Sequence, residues 1–262
     1  MEDQLIIFWH RRDLRISDNL GLFSAVEKSK KIIGLFCLDP NILNRDDIAP
    51  ARVKYLLGCL EELKKNYQKR GSDLYIFRQT PESIIPPLAV KLQVKEVYWN
   101  LDVEPFSRER DRKISEILQQ QNILVNTFWD QLLHPPGDIL SQSNKTPYTV
   151  YTPFWRNWSQ QKKLSPLPSP AQLISPSPSE IEIIQQLGSI SLPSLKDLGF
   201  IWEADLPLSA GEASASERLD YFCQYLLSDY EENRNYPSLS ATSELSAALK
   251  FGAIAPRTIW QH

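Results

Sequence analysis

The chain has 262 residues, 42% of them hydrophobic and 23% charged, and its 29 Lys and Arg against 32 Asp and Glu give a net charge of -3. That composition supports a real core in one large domain or two ordinary ones, and it excludes a global positive field, so any contact with nucleic acid has to be local. No apolar stretch approaches the roughly 18 residues of a membrane span, and the acidic start is no targeting signal, so a cytoplasmic protein is expected.

In chain order, Leu5-Ile-Ile-Phe-Trp9 is too short and too apolar for a helix and fits a buried strand. Similar runs follow at Lys31 to Leu38, Asp73 to Phe77, Val94 to Trp99 and Ile123 to Phe128. Between them lie helical patterns. Asp18 and Asn19 are placed to cap a first helix, and Pro81, Glu82 and Ser83 open another. The clearest helix runs from Ala51 to Arg70, with Val53, Leu56, Leu57, Leu60 and Leu63 on one face and Gly71 as its stop. From Ser107 to Gln121, Ile114, Ile117 and Leu118 are expected to face inward. Five strands alternating with helices imply a five-stranded, doubly wound parallel sheet covered on both faces.

Between Pro135 and Pro207 lie eleven of the nineteen prolines, a density that forbids long helices. Tyr148, Tyr151, Phe154, Trp155 and Trp158 cluster there, so the stretch reads as a long connector packed over the first domain. After Ala204 the helical pattern returns, with Leu219, Phe222, Cys223, Leu226 and Leu227 on one face of a second, helical domain. Cys37, Cys59 and Cys223 are widely spaced and suit reduced thiols. His10, His134 and His262 have no metal-ligand spacing, so no metal site is expected.

Ligands of open parallel sheets bind beyond the carboxyl ends of the strands. There the chain carries His10-Arg-Arg-Asp-Leu-Arg15, Asp39-Pro40 and Asn100 to Arg110, with neither a Gly-x-Gly-x-x-Gly fingerprint nor a Gly-Lys-Ser/Thr loop. Asp13 among three arginines points to ion pairing that shapes the loop, a structural role rather than a catalytic one. Near the end, Thr242, Ser243 and Ser246 sit where a loop turns into an apolar helical run. Such hydroxyls suit a phosphate at a helix start, but taken alone they favour a plain N-cap.

Several phrases carry a resemblance to a known family. Phe8-Trp-His-Arg-Arg-Asp-Leu-Arg15 with Asp18-Asn19, Gly211-Glu212 with Arg218-Leu219, Tyr230-x-x-x-Arg234-Asn-Tyr-Pro, Thr242-Ser-x-Leu-Ser246 and Lys250-Phe-Gly252 resemble the photolyase/cryptochrome family. Gly34 to Pro40, Tyr98-Trp-Asn100, Trp129 to His134 and Pro153-Phe-Trp155 look closest to microbial class I photolyases with a deazaflavin antenna. The resemblance covers the whole chain. It implies an α/β antenna domain over residues 1–132, a connector over 133–204, and the beginning of an all-helical FAD-binding domain over 205–262, the rest of that domain lying beyond the chain.

What the resemblance implies chemically is light-driven repair of cyclobutane pyrimidine dimers in UV-damaged DNA by electron transfer from excited reduced FAD, in a monomer. Tyr230 and the run Thr242, Ser243, Glu244, Leu245 and Ser246 are then the FAD contacts, and Arg234 is the DNA contact. The antenna contacts are Cys37, Leu38 and Asp39, then Arg52, then Asp102, Val103, Glu104, Pro105, Phe106, Ser107, Arg108, Glu109 and Arg110. In folate-type members an Asn-Glu pair occupies the positions of Phe106 and Ser107, so 8-hydroxy-5-deazaflavin is expected rather than methenyltetrahydrofolate. Phe106 itself reads either as a ring that stacks on the chromophore or as a core contact. The catalytic residues of the family fall outside this chain. A cryptochrome-like photoreceptor without repair activity and an inactive antenna-binding fragment are the other readings.

Overall fold

The computed structural model describes residues 4–141 and 145–262. Its first five strands are β1 (Ile6–His10), β2 (Ile32–Cys37), β3 (Leu74–Phe77), β4 (Glu96–Asn100) and β5 (Leu124–Phe128). All five are parallel, in the order β5-β4-β1-β2-β3, so the winding reverses between β1 and β4. A sixth strand, β6 (Ser189–Ile190), extends this sheet antiparallel to β3. Its two residues lie within the proline-rich segment, where no periodic run announces a strand.

Eleven α-helices complete the described residues. They are α1 (Leu20–Lys28), α2 (Pro40–Leu43), α3 (Pro50–Lys69), α4 (Pro81–Lys91), α5 (Pro105–Gln120), α6 (Tyr151–Gln160), α7 (Pro178–Gln186), α8 (Glu212–Tyr221), α9 (Tyr230–Asn233), α10 (Ser246–Phe251) and α11 (Pro256–Gln261). Alternate strand residues point to opposite faces of the sheet. Ile6, Phe8 and Ile32 therefore join Leu22 of α1 and Leu60 and Leu63 of α3, while Ile7, Trp9 and Ile33 join Ile85 and Leu88 of α4 and Ile114 and Leu118 of α5. Burying each such side chain contributes about 1.5–3 kcal/mol.

Some details depart from the periodic pattern. Ile117 is 39% exposed, because the buried face of α5 is Ser107, Arg110, Asp111, Ile114 and Leu118, a stripe that leaves residue 117 to one side. Asn19 caps α1 by accepting from the Leu22 N–H, but Asp18 does not cap. Its carboxylate instead accepts from the Leu167 N–H and from Arg257. Leu227 is half exposed, since α8 passes into a π-turn at Phe222–Leu226 and a 3-10 turn at Leu227–Asp229, which rotates the apolar face out of register.

The proline-rich segment lies along the α/β layers. Leu173 is buried and its N–H donates to the Arg70 carbonyl at 2.7 Å, while Ile174 donates to the Lys30 carbonyl at 2.8 Å. From α8 onward, Leu219, Leu245, Ala248 and Ile254 enter the same cluster as α1 and α3. Gly252 ends α10 in the left-handed region at φ 66°, where an added Cβ would collide with the Arg12 carbonyl. Only a glycine lets this turn lie against the loop after β1.

Candidate functional site

A cleft of about 440 Å³ opens at the carboxyl ends of β1, β2 and β4. Trp9 to Arg12 form one wall, Phe36 to Asp39 another, and the first turn of α5 a third; Arg52 and Leu56 of α3 and Lys250 and Phe251 of α10 close it. The parallel topology dictates this place, because strand termini and helix N-termini converge where the winding reverses.

The loop after β1 is held by groups from distant elements. The Asp13 carbonyl can only accept, so His10 Nδ1 donates to it at 3.0 Å, and His10 Nε2 shares a hydrogen bond with the Tyr67 hydroxyl at 2.9 Å. Burial pushes the Tyr67 phenol well up, so it keeps its proton. Burial also opposes charge on Asp13, yet His10, the Arg11 N–H and Asn100 together outweigh it and hold this carboxyl at about 2. Arg11 pairs with Asp111 at 2.5 Å and Arg12 with Asp102 at 3.2 Å, while Arg15 pairs with Asp130. The arginine cluster is thus tied down by carboxylates of the loops after β4 and β5 and of α5, with Asp13 organising the backbone and His10 instead of pairing a guanidinium.

The inner wall of the cleft is both flat and charged. The guanidinium groups of Arg11 and Arg110 lie 4.7 and 4.8 Å from the centroid of the buried Trp9 ring. Trp9 in turn meets Trp99 edge-on at 5.5 Å. Asp39 spends one oxygen on the Asn41 N–H, and its other oxygen, Oδ2, has no partner although it is buried. Arg110 Nε is buried and unpartnered as well. Buried polar atoms normally find partners, so two orphans beside one cleft indicate groups waiting for a ligand. Burial pushes the Cys37 thiol up, so it stays protonated, and burial with the nearby Arg11 charge depresses the Arg110 guanidinium.

Of the expected antenna residues, Cys37, Leu38, Asp39, Arg52, Asp102, Glu104, Phe106, Ser107 and Arg110 line this cleft. Val103, Pro105, Arg108 and Glu109 are exposed and do not. Phe106 is 53% exposed at the rim, with the Arg110 guanidinium 5.6 Å from its ring, so it is not a core contact. Ser107 is buried and donates to Asp102 at 3.2 Å. Sequence reasoning placed Arg11 and Arg12 at the strand ends but gave them a structural role, and it did not include Trp9, Lys250 or Phe251 among the cleft residues. Trp9 stands at the carboxyl end of β1, where the strand-end rule applies, whereas Lys250 and Phe251 arrive only through the packing of α10.

The expected FAD strip lies elsewhere. α10 begins at Ser246, after an uncapped Leu245, so Thr242 and Ser243 do not cap it as a helix-start reading requires. Arg218 instead takes the Thr242 and Ser243 carbonyls at 2.7 and 3.0 Å and pairs with Glu244, which is held at φ 55°. Among the described residues the hydroxyls of Thr242, Ser243 and Ser246 have no hydrogen-bond partner, and Leu245 is buried beneath them. Tyr230 packs edge-on against Phe222 at 5.5 Å, and the exposed Arg234 lies 5.6 Å from the Tyr230 ring. The strip is largely exposed, with Thr242, Glu244, Ser246 and Arg234 at the surface. Among the described residues no cluster of three His, Cys, Asp or Glu is placed to hold a metal ion, and no helix is long and apolar enough to cross a membrane.

The family model described as DNA photolyase matches residues 6–172 of the chain. A deoxyribodipyrimidine photo-lyase of a Synechococcus species is 49% identical over 256 residues, which is 98% of this chain and 53% of that relative. The chain therefore spans about half the length of that enzyme. Among solved structures, a bacterial class III photolyase of Agrobacterium tumefaciens superposes with a TM-score of 0.84 at 28% identity, over 100% of this chain and 53% of that one. An archaeal photolyase of Sulfolobus tokodaii, described with two FAD molecules, superposes with a TM-score of 0.79 at 26% identity, over 98% of this chain and 54% of that one. The fold, the cleft at the strand ends and these likenesses agree, and the chain belongs to the DNA photolyase family.

Proposed function

We propose that this chain is the light-harvesting half of an enzyme that splits cyclobutane pyrimidine dimers in UV-damaged DNA, a monomer of the cytoplasm. In this reading 8-hydroxy-5-deazaflavin occupies the cleft, and FAD lies against Tyr230 and the run from Thr242 to Ser246. The observation that carries it is the inner wall of the cleft, where the flat Trp9 ring and two guanidinium groups stand beside the unpartnered Asp39 Oδ2 and Arg110 Nε. A planar heterocycle with a ring N–H and a ring carbonyl would satisfy both orphans. The cleft volume of about 440 Å³ falls in the ordinary range for a small-molecule pocket, roughly 300–1,000 Å³.

When bound, the deazaflavin supplies harvested light and the reduced FAD supplies, on excitation, the electron that splits the dimer. The chain's residues bind and orient. Asp39 accepts from a ring N–H, Arg110 donates to a ring carbonyl, and Phe106 at the rim limits access of water. Thr242, Ser243 and Ser246 offer free hydroxyls to a phosphate or ribitol. Arg234, exposed at the end of α9, offers a fork of donors to a DNA phosphate.

Absorbance spectra of the purified chain titrated with each chromophore test the reading. Stoichiometric binding of 8-hydroxy-5-deazaflavin, lost at least about tenfold in Arg110→Gln, is expected, with no retention of FAD on the open strip. Preference for FAD or methenyltetrahydrofolate in the cleft would overturn the antenna assignment. For DNA, Arg234→Ala should weaken binding to a UV-damaged duplex and reduce the slope of log K against log salt by about 0.9. An unchanged slope removes Arg234 from the DNA contact.

A further inference from the structure

Neither chromophore reading uses Gly211, Glu212 or Arg218, yet these residues of α8 and its start tie three parts of the molecule together. Gly211 adopts φ 115°, and a Cβ there would strike the Glu62 carboxylate of α3, so a glycine lets α8 begin this close to α3. Glu62 accepts from the Ala213 N–H at 2.8 Å, and Glu212 accepts from the Ile16 and Ser17 N–H groups at 3.1 and 3.0 Å. Ala215 and Leu219 are buried on the inner face of the helix. α8 is thus fixed against both α3 and the loop after β1.

Arg218 carries that fixed position to the strip before α10. Its Nε donates to the Ser243 carbonyl at 3.0 Å, its Nη2 donates to the Thr242 carbonyl at 2.7 Å, and Nη2 pairs with the Glu244 carboxylate at 3.2 Å. The Tyr221 ring backs the guanidinium at 5.3 Å. One planar fork therefore serves three successive residues, which a lysine ammonium cannot do with the same geometry. The carbonyls of Thr242 and Ser243 are spent on α8 while their hydroxyls keep no protein partner among the described residues. Glu244 poses the opposite problem. It is held at φ 55°, a conformation that a residue with a Cβ keeps only where its surroundings impose it. Its carboxylate stands between the hydroxyls of Ser243 and Ser246 in sequence, and unpaired it would repel a phosphate brought to them.

We propose that Arg218 is a positioning residue for the flavin dinucleotide: it fixes the backbone of Thr242 and Ser243 and cancels the charge of Glu244, so that a phosphate of FAD can approach the hydroxyls. Arg218 itself touches no cofactor atom in this role. The proposal deepens the reading of the strip as an FAD contact and rests on it.

Amide NMR spectra of the full chain titrated with inorganic pyrophosphate test the role. Saturable shifts of the amides from Thr242 to Ser246 are expected in the wild type. Arg218→Gln should weaken that affinity at least about fivefold, and adding Glu244→Gln should recover more than half of the loss on a logarithmic scale. Arg218→Lys, which keeps the charge and loses the fork, should fall between wild type and Arg218→Gln. Amides of the five parallel strands that keep their positions will show that each variant folds. A merely structural Arg218 would weaken the single and the double variant alike, so equal affinities in those two overturn the proposal. Wild-type shifts that Arg218→Gln leaves intact overturn it while the FAD reading stands, whereas a wild type whose strip does not respond to pyrophosphate overturns both.

Discussion

At the scale of single residues, the loop after β1 depends on Asp13. Its carboxyl is held at about 2, against an unperturbed 3.8, by His10, the Arg11 N–H and Asn100 acting against the cost of burial. A depressed carboxyl contributes stability that is present above its unfolded value and is lost as pH falls through the folded one. The window is therefore about pH 4 down to about pH 2, and the contribution is on the order of 2 kcal/mol. Urea midpoints measured across that window should fall more steeply in the wild type than in Asp13→Asn, which starts from a lower stability. A parallel decline in both proteins would assign the acid sensitivity to other carboxylates. The identity of this loop as a structural knot was legible from three arginines with an aspartate among them. Their partners were not, because Asp102, Asp111 and Asp130 lie about a hundred positions away and meet the loop only when β4 and β5 pair beside β1.

Elements bring side chains to the cleft through their termini. α5 starts directly after β4, and its first turn presents Phe106, Ser107 and Arg110 to the same crevice as the ends of β1 and β2. Its outer face is solvated and carries the exposed, solvent-screened pairs of Arg112 with Glu109 and Glu116. α10 matters for a different reason. It delivers Lys250 and Phe251 to the cleft, and Phe251 stacks on Tyr55 of α3 at 5.5 Å. The turn that allows this is at Gly252, in the left-handed region against the Arg12 carbonyl. Gly252→Ala is expected to cost more than about 1 kcal/mol, seen as a fall in Tm of at least roughly 2–4 °C, and to lower chromophore affinity along with it. A melting curve within about 1 °C of wild type would mean that the turn tolerates a side chain.

The whole molecule is joined by a buried ionic group. Arg257 of α11 donates to Asp18 at 2.8 Å and Asp130 at 2.6 Å, Thr258 donates to Asp18 at 2.9 Å, and Arg15 completes the set with Asp130. These four charged side chains are at most 4% exposed. They tie the loop after β1, the segment after β5 and the last helix, and Asp18 also holds the proline-rich segment through the Leu167 N–H. Removing one partner of a buried pair strands the other charge, at a cost of about 3–5 kcal/mol. Arg257→Ala should therefore lower the unfolding free energy measured in urea by that amount and let protease release the segment after the sheet first. A loss below about 1 kcal/mol would show that the helices are held to the sheet by apolar packing alone.

The five parallel strands, their winding and the crevice at its carboxyl ends were determined by the sequence itself, because short apolar runs alternating with amphipathic helices admit few other arrangements. Tertiary structure alone decided what closes that crevice. Trp9 becomes a cleft wall only when Arg11 and Arg110 approach its ring from two elements, and Lys250 reaches it across most of the chain. It also decided that Thr242 and Ser243 stand free instead of capping α10, since Arg218 takes their carbonyls and moves the helix start to Ser246. Local periodicity reports which face of an element is apolar. It says nothing about which distant charge will neutralise a buried one, and here those long-range pairs shape the site.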